Sequence, residues 1–138
     1  MQIEIIEPDP GADVSLFKDI SEQVFKEEKR EVDAINVIFM SRSDLRTLKN
    51  EYFGIDAYTD VITFNLNEMD EPIEGEIYLS FEQIQDNARQ FKTDVQEELH
   101  RVLIHGCLHL CGHEDETPEE TTQMTALENL HLNKISMG

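Results

Sequence analysis

Hydrophobic residues along this chain change period several times, and each period predicts an element. Ile3, Glu4 and Ile5 alternate apolar and charged at the two-residue period of a strand, and Pro8-Asp9-Pro10-Gly11 stops it. Leu16, Phe17, Ile20, Val24 and Phe25 recur at three and four residues, which predicts an amphipathic helix over residues 13 to 30. Ala34 to Met40 is a compact apolar run rich in β-branched residues and predicts a second strand. Ser41-Arg42-Ser43-Asp44 then opens a short helix with Leu45, Leu48 and Tyr52 facing inward, closed by Gly54. Asp60 to Phe64 and Gly75 to Leu79 alternate again as two more strands, separated by a polar, acidic loop from Asn67 to Glu74 that contains Pro72.

The C-terminal half is helical, and its start signals are clear. Ser80 with Gln83, Thr93 with Gln96, and Thr117 with Glu120 all fit the capping box, the last with Pro118 at the first helical position. Phe81, Ile84, Ala88 and Phe91 stripe the first of these helices. Val95, Leu99, Val102, Leu103, Cys107 and Leu110 stripe the second, expected over residues 94 to 111, and Met124, Leu127 and His131 mark the third. Four strands with helices before, between and after them predict one α+β domain over residues 1–138, built around a small sheet with about five helices. The pattern does not specify the order of the strands.

Composition narrows the functional classes. A chain of 138 residues can bury a single core without staples. Thirty acidic against 11 basic residues leave a formal charge of −19. That argues against a broad nucleic-acid surface built on charge, because phosphate contacts need Lys and Arg, and does not exclude a small basic groove. DNA is not an expected partner. No apolar run approaches the roughly 20 residues of a membrane span, and Met1-Gln2-Ile3-Glu4 lacks the basic-then-apolar order of a signal peptide. We therefore expect a cytoplasmic protein. Cys107 and Cys111, spaced C-x3-C, read there as two small buried hydrophobes.

The chemistry concentrates between His105 and Glu116. At about 100° per residue, His105 and His109 stand one helical turn apart on one face, about 40° from each other. Two imidazoles so placed can share one metal ion. By the same rotation Cys107 falls about 200° and Cys111 about 240° from His105, toward the core. Gly112 should end the helix in a left-handed turn. His113 to Glu116 form a tight acidic loop before Thr117 starts the next helix, and a third ligand must come from that loop. Three protein ligands with one open position is the arrangement of catalytic zinc. Gly106, in mid-helix, costs about 1 kcal/mol against alanine, so something is expected to approach closely there. It also stands where a metalloprotease H-E-x-x-H would carry its Glu, which disfavours that class. His100 lies about 140° round from His105 and is not expected to be a ligand. His131 reads as a satisfied, half-buried histidine, Asp60 as a turn cap before its strand, and Glu114 and Glu116 as possible acceptors behind the His ligands.

These residues resemble the YbeY family of metal-dependent endoribonucleases, implicated in rRNA maturation and ribosome quality control. The family signature is His-Gly-x-Leu-His-Leu-x-Gly-Tyr-Asp-His, and every specified position from His105 through Gly112 agrees with it. Tyr52 to Phe64 resembles the family block Tyr-Arg-x-x-Asp-x-Pro-Thr-Asp-Val-Leu-Ser-Phe. Gly75 to Ser80 resembles its Gly-Asp-Ile-x-Ile-Ser strand, and Met124 to Glu128 its Met-x-x-Leu-Glu helix. The resemblance implies an α+β fold with a mixed sheet, a zinc ion, and an rRNA or ribosomal-subunit partner. Two positions depart. The third family His falls on Asp115, while His113 stands where the family has Tyr. Ungapped register from Gly112 to Met124 makes Asp115 the third ligand, with His113 the alternative. A site of His105, His109 and Asp115 carries one positive charge less than an all-His site. Phe53 replaces an Arg that the family uses for catalysis or phosphate binding, and Arg89, Lys92 and Arg101 are candidates to supply the missing charge.

The residues point to a metal-dependent hydrolase, and the resemblance implies a zinc-dependent endoribonuclease of single-strand type with His105, His109 and Asp115 as metal and catalytic residues. A metal-dependent hydrolase of another substrate, or a ribosome-assembly binding factor with a structural metal, are the alternatives.

Overall fold

The computed structural model describes residues 1–137, with side chains through Ile135. Its elements follow the chain as β1 (Gln2–Ile6), α1 (Phe17–Glu27), β2 (Val32–Phe39), α2 (Arg42–Phe53), β3 (Val61–Asn65), β4 (Ile73–Leu79), α3 (Phe81–Phe91), α4 (Val95–Leu110) and α5 (Pro118–Met137). The strands make a mixed sheet in the order β1-β2-β4-β3, with β1, β2 and β4 parallel and β3 antiparallel to β4. This is the α+β arrangement the periodicities predict.

Several boundaries move, each for a local reason. The first helix starts at Phe17, not 13, because the Asp13 carboxylate accepts from both the amide and the hydroxyl of Ser15 and holds that stretch in a turn. Lys29, at φ 57°, closes the segment after the helix has ended at Glu27. β4 begins at Ile73, inside the expected loop, since the Ile73 amide donates to the Glu31 carbonyl and extends the pairing with β2. Asp94, not Thr93, caps α4 by accepting from the Glu97 amide. Ser80 and Thr117 cap as expected, and Thr117 exchanges both capping-box hydrogen bonds with Glu120. Tyr52 and Phe91, expected inward, are exposed.

Helix α4 is the centre of the molecule. It touches α1, α3 and α5 on its flanks and lies across β3 and β4. Leu99, Val102, Leu103, Ile104, Cys107, Leu108 and Leu110 are buried, so the helix is enclosed on most of its circumference. Two glycines allow that approach. A Cβ on Gly106 would lie 3.0 Å from Cγ2 of Ile77, and one on Gly75 would lie 2.8 Å from the Leu110 side chain. The mid-helix glycine therefore answers to the sheet beneath it. Cys107 is buried with its Sγ 3.7 Å from Ser21 Oγ, and burial pushes its thiol up to about 12. Cys111 is half-buried, and burial raises its thiol likewise.

We expect Gly106→Ala to lower stability by up to about 2 kcal/mol. Overpacking against Ile77, roughly 1–3 kcal/mol, outweighs the ~1 kcal/mol that alanine gains in a helix. Urea unfolding measures the difference, and a stabilised variant would show that helix and sheet have room to spare.

Candidate metal centre

The enclosed circumference of α4 leaves one stripe facing a cleft, and His105 and His109 occupy it, each half-buried. Their rings meet edge to face with centroids 4.5 Å apart. Behind each ring an acceptor fixes the tautomer. Nδ1 of His105 donates to Glu128 Oε2 at 2.6 Å, across from α5. Nδ1 of His109 donates to the His113 carbonyl at 2.8 Å. A carbonyl and an ionised carboxylate only accept, so Nδ1 of each ring carries a proton, and in the neutral ring Nε2 is left as a lone pair.

Those lone pairs converge. His105 Nε2 and His109 Nε2 are 2.9 Å apart, and Asp115 Oδ2 lies 3.3 Å from the first and 3.5 Å from the second. With both Nε2 atoms unprotonated, three donors this close repel one another, and a metal ion or a proton among them relieves the repulsion. Ligand atoms at zinc distances around a tetrahedral ion are separated by roughly 3.3 Å, so the Asp115 separations fit one ion and the two Nε2 atoms would open by about 0.4 Å to share it. Among the described residues, these are the His, Cys, Asp and Glu side chains that gather closely enough to hold a metal.

The loop that carries Asp115 is pinned at both ends. Gly112, at φ 102°, makes the predicted left-handed turn, and the amides of Gly112 and His113 return to the carbonyls of His109 and Leu108. Arg30 donates to the Cys111 carbonyl at 2.8 Å, and Thr121 Oγ1 donates to the Asp115 carbonyl. The His113 ring turns away from the centre, with Nε2 2.5 Å from Glu28 Oε1 on α1. Its backbone serves the site and its side chain fastens the loop to α1. His100 also lies outside the cluster.

Glu128 is the residue the periodicity did not single out. It is buried, and its second oxygen accepts from Arg101 at 3.1 Å, while Arg101 also donates to Asn129 Oδ1. Arg101 thus neutralises the carboxylate behind His105, and Arg89 pairs with Asp86. Neither reaches the cleft, and nor does Lys92. The cation on the cleft wall is Lys49, from α2. Burial lowers the pKa of His105, but its hydrogen bond to Glu128 and the charges of Glu128, Asp115 and Asp60 outweigh that and raise it overall.

The cleft encloses about 550 Å3 between the metal centre and a wall made by β3 and the end of α2. Asp60 lies on that wall instead of merely capping a turn. Its carboxylate accepts from Asn87 at 3.0 Å, and burial raises its pKa more than His105 and Lys49 lower it. Glu114 and Glu116 line the cleft, while the acceptors behind the His rings are Glu128 and a carbonyl. His131, expected to be satisfied, is buried with no partner at Nδ1.

Comparison with known proteins identifies the family and matches the fold. The profile of the family described as endoribonuclease YbeY matches residues 6–136. The chain is 40% identical over 109 residues to the endoribonuclease YbeY of Cytophaga hutchinsonii, covering 79% of this chain and 76% of that protein. It is 39% identical over 123 residues to the one from Chlorobaculum parvum, covering 89% and 86%. A Thermotoga maritima protein solved in solution matches with a TM-score of 0.67 at 32% identity, over 98% of this chain and 92% of that one. From sequence, fold and the glycine-ended histidine helix together, the chain belongs to the endoribonuclease YbeY family.

Proposed function

We propose that the chain is a zinc-dependent endoribonuclease that cuts single-stranded segments of rRNA during ribosome maturation and quality control. The observation that carries this reading is the convergence of His105 Nε2, His109 Nε2 and Asp115 Oδ2 on one point at the edge of an open cleft. When bound there, zinc supplies Lewis acidity toward a phosphoryl group. Every other part of the reaction falls to the chain itself. Glu128 and the His113 carbonyl hold the two imidazoles in register, the second layer that most metal-bound histidines require. Lys49 offers the cleft its positive side chain, placed to meet a phosphodiester. Burial raises the Asp60 carboxyl above its ordinary range, and Asn87 holds that carboxyl on the cleft wall.

The family names its members for RNA cleavage, and the cleft is open enough to admit a chain. No helix among the described residues is long and apolar enough to cross a membrane. Free thiols at Cys107 and Cys111 suit a reducing compartment, which supports a cytoplasmic site of action beside the ribosomal subunit.

Purified protein should carry one zinc by elemental analysis and cleave single-stranded RNA. His109→Ala and Asp115→Ala should lose both properties, and Glu128→Gln should bind zinc about 10- to 100-fold more weakly. His113→Ala should keep its zinc, since only its backbone faces the site. Intact RNA under zinc-loaded wild-type protein, or full zinc in Asp115→Ala, would remove the proposal.

Asp60 yields a separate expectation for chelator-treated protein. A carboxyl whose folded pKa is raised favours the native state below its unfolded value of 3.8, and loses that contribution as pH rises through the folded value. Asp60→Asn should therefore raise the melting temperature near about pH 7.5 and leave it unchanged near about pH 3.5. Equal gains at both pH values would mean that the carboxyl is not carrying the cost.

A further inference from the structure

Exposed aromatic rings cluster where α2 ends, and their surroundings divide them sharply. Tyr58 has its face covered by the Arg46 guanidinium, 4.6 Å from the ring centroid, with Arg42 at 5.4 Å. Tyr52 meets Phe64 edge-on, at 64° between planes. Phe53 lies flat on Phe64, with centroids 5.9 Å apart and planes 12° apart, yet it remains 52% exposed. The two rings are parallel but offset, and about half of the Phe53 surface stays open. Of these three rings, only Phe53 lines the cleft that holds His105, His109 and Asp115.

The mounting is firm. Phe64 is itself held edge-on by Tyr78 at 5.8 Å, and the Gly54 left-handed cap, at φ 68°, ends α2 directly after Phe53. The charge around the ring points to what it receives. Asp60, Glu114, Asp115 and Glu116 line the cleft against Lys49. Even with a divalent ion in place, attraction to phosphate is weak there, and affinity for RNA has to come from a contact indifferent to the cleft's negative charge. A flat ring with a free face provides one, because every base presents a π-face.

We propose that Phe53 is the platform on which the cleft stacks an unpaired nucleobase of the RNA strand beside the phosphate presented to the metal centre. This rests on the ribonuclease reading above and adds to it a residue that selects for bases free of their own stack. A base inside a duplex has both faces occupied by its neighbours and is refused.

The chain contains no tryptophan, so Phe53→Trp creates a single fluorescent reporter at the platform. In the zinc-loaded protein, a single-stranded 2′-O-methyl RNA oligonucleotide should quench that fluorescence, and a duplex of the same sequence should not. By anisotropy with the same labelled oligonucleotide, Phe53→Tyr should bind within about twofold of wild type. Phe53→Leu, which keeps apolar bulk without a π-face, should bind about fivefold or more weakly, the lower end of a single stacked base. Zinc content should be the same in all variants. Unquenched fluorescence while anisotropy shows the strand bound, or wild-type affinity in Phe53→Leu, overturns the platform. If the wild-type protein still cleaves RNA in that case, the ribonuclease reading stands without it. A wild-type protein that neither binds nor cleaves RNA removes both.

Discussion

The rotational setting of α4 against the sheet governs everything the site can do. A helix turns about 100° per residue, so a slip of one position would carry His105 and His109 from the cleft into the core. The setting is held from the opposite side. Gly106 lets the helix down onto Ile77, Leu110 fills the space over Gly75, and Cys107 and Leu103 are buried with α1 packed alongside. At its C-terminal end, Asn65 of β3 donates to the Leu110 carbonyl at 3.0 Å and ties the last turn to the cleft wall. The imidazoles are thus aimed by apolar packing on faces where no chemistry happens.

Electrostatics completes what packing starts. In a chain of charge −19, two imidazoles and a carboxylate are held together at the end of a buried helix. Glu128 is what makes this tolerable for His105. It accepts the hydrogen bond from Nδ1 and is itself matched by Arg101, so the buried carboxylate is paired on both oxygens. Around the centre, the surface of the fold adds negative charge instead of compensating it, with Glu114 and Glu116 on the same loop as Asp115. Such a site has strong reason to take a cation and little reason to take an anion directly.

The elements, and the three side chains that gather beside the cleft, were largely legible in the sequence because they obey local rules. Period-two and period-3.6 patterns placed every strand and helix, and the rotation from His105 to His109 sent the cysteines inward, where Cys107 is buried. The ungapped count from Gly112 chose Asp115 over His113, and the structure brings Asp115 to the two imidazoles while His113 reaches Glu28. What escaped was set by contacts distant along the chain. Glu128 meets His105 across 23 positions, and no periodicity connects them. Lys49 and Asp60 stand on the cleft wall because β3 and α2 fold over α4, a juxtaposition that depends on strand order. Gly106 was read correctly as a close approach, but the approaching group is Ile77, where the apolar contact gives no signal in a local window.

The two departures from the family pattern have a common direction. Asp115 in place of His, and Phe53 in place of Arg, each make the cleft less positive. Either alone would weaken the hold on a phosphate. Together they shift the work from charge toward shape, because Phe53 arrives already backed by Phe64 and Tyr78. An ion-pair contact to the backbone is blind to base pairing and fades with salt. A stacking contact requires an open base face and is far less sensitive to salt. A cleft built this way would give up some affinity for RNA in general and keep its affinity for strands whose bases are unpaired, which is the discrimination an enzyme acting on folded RNA most needs.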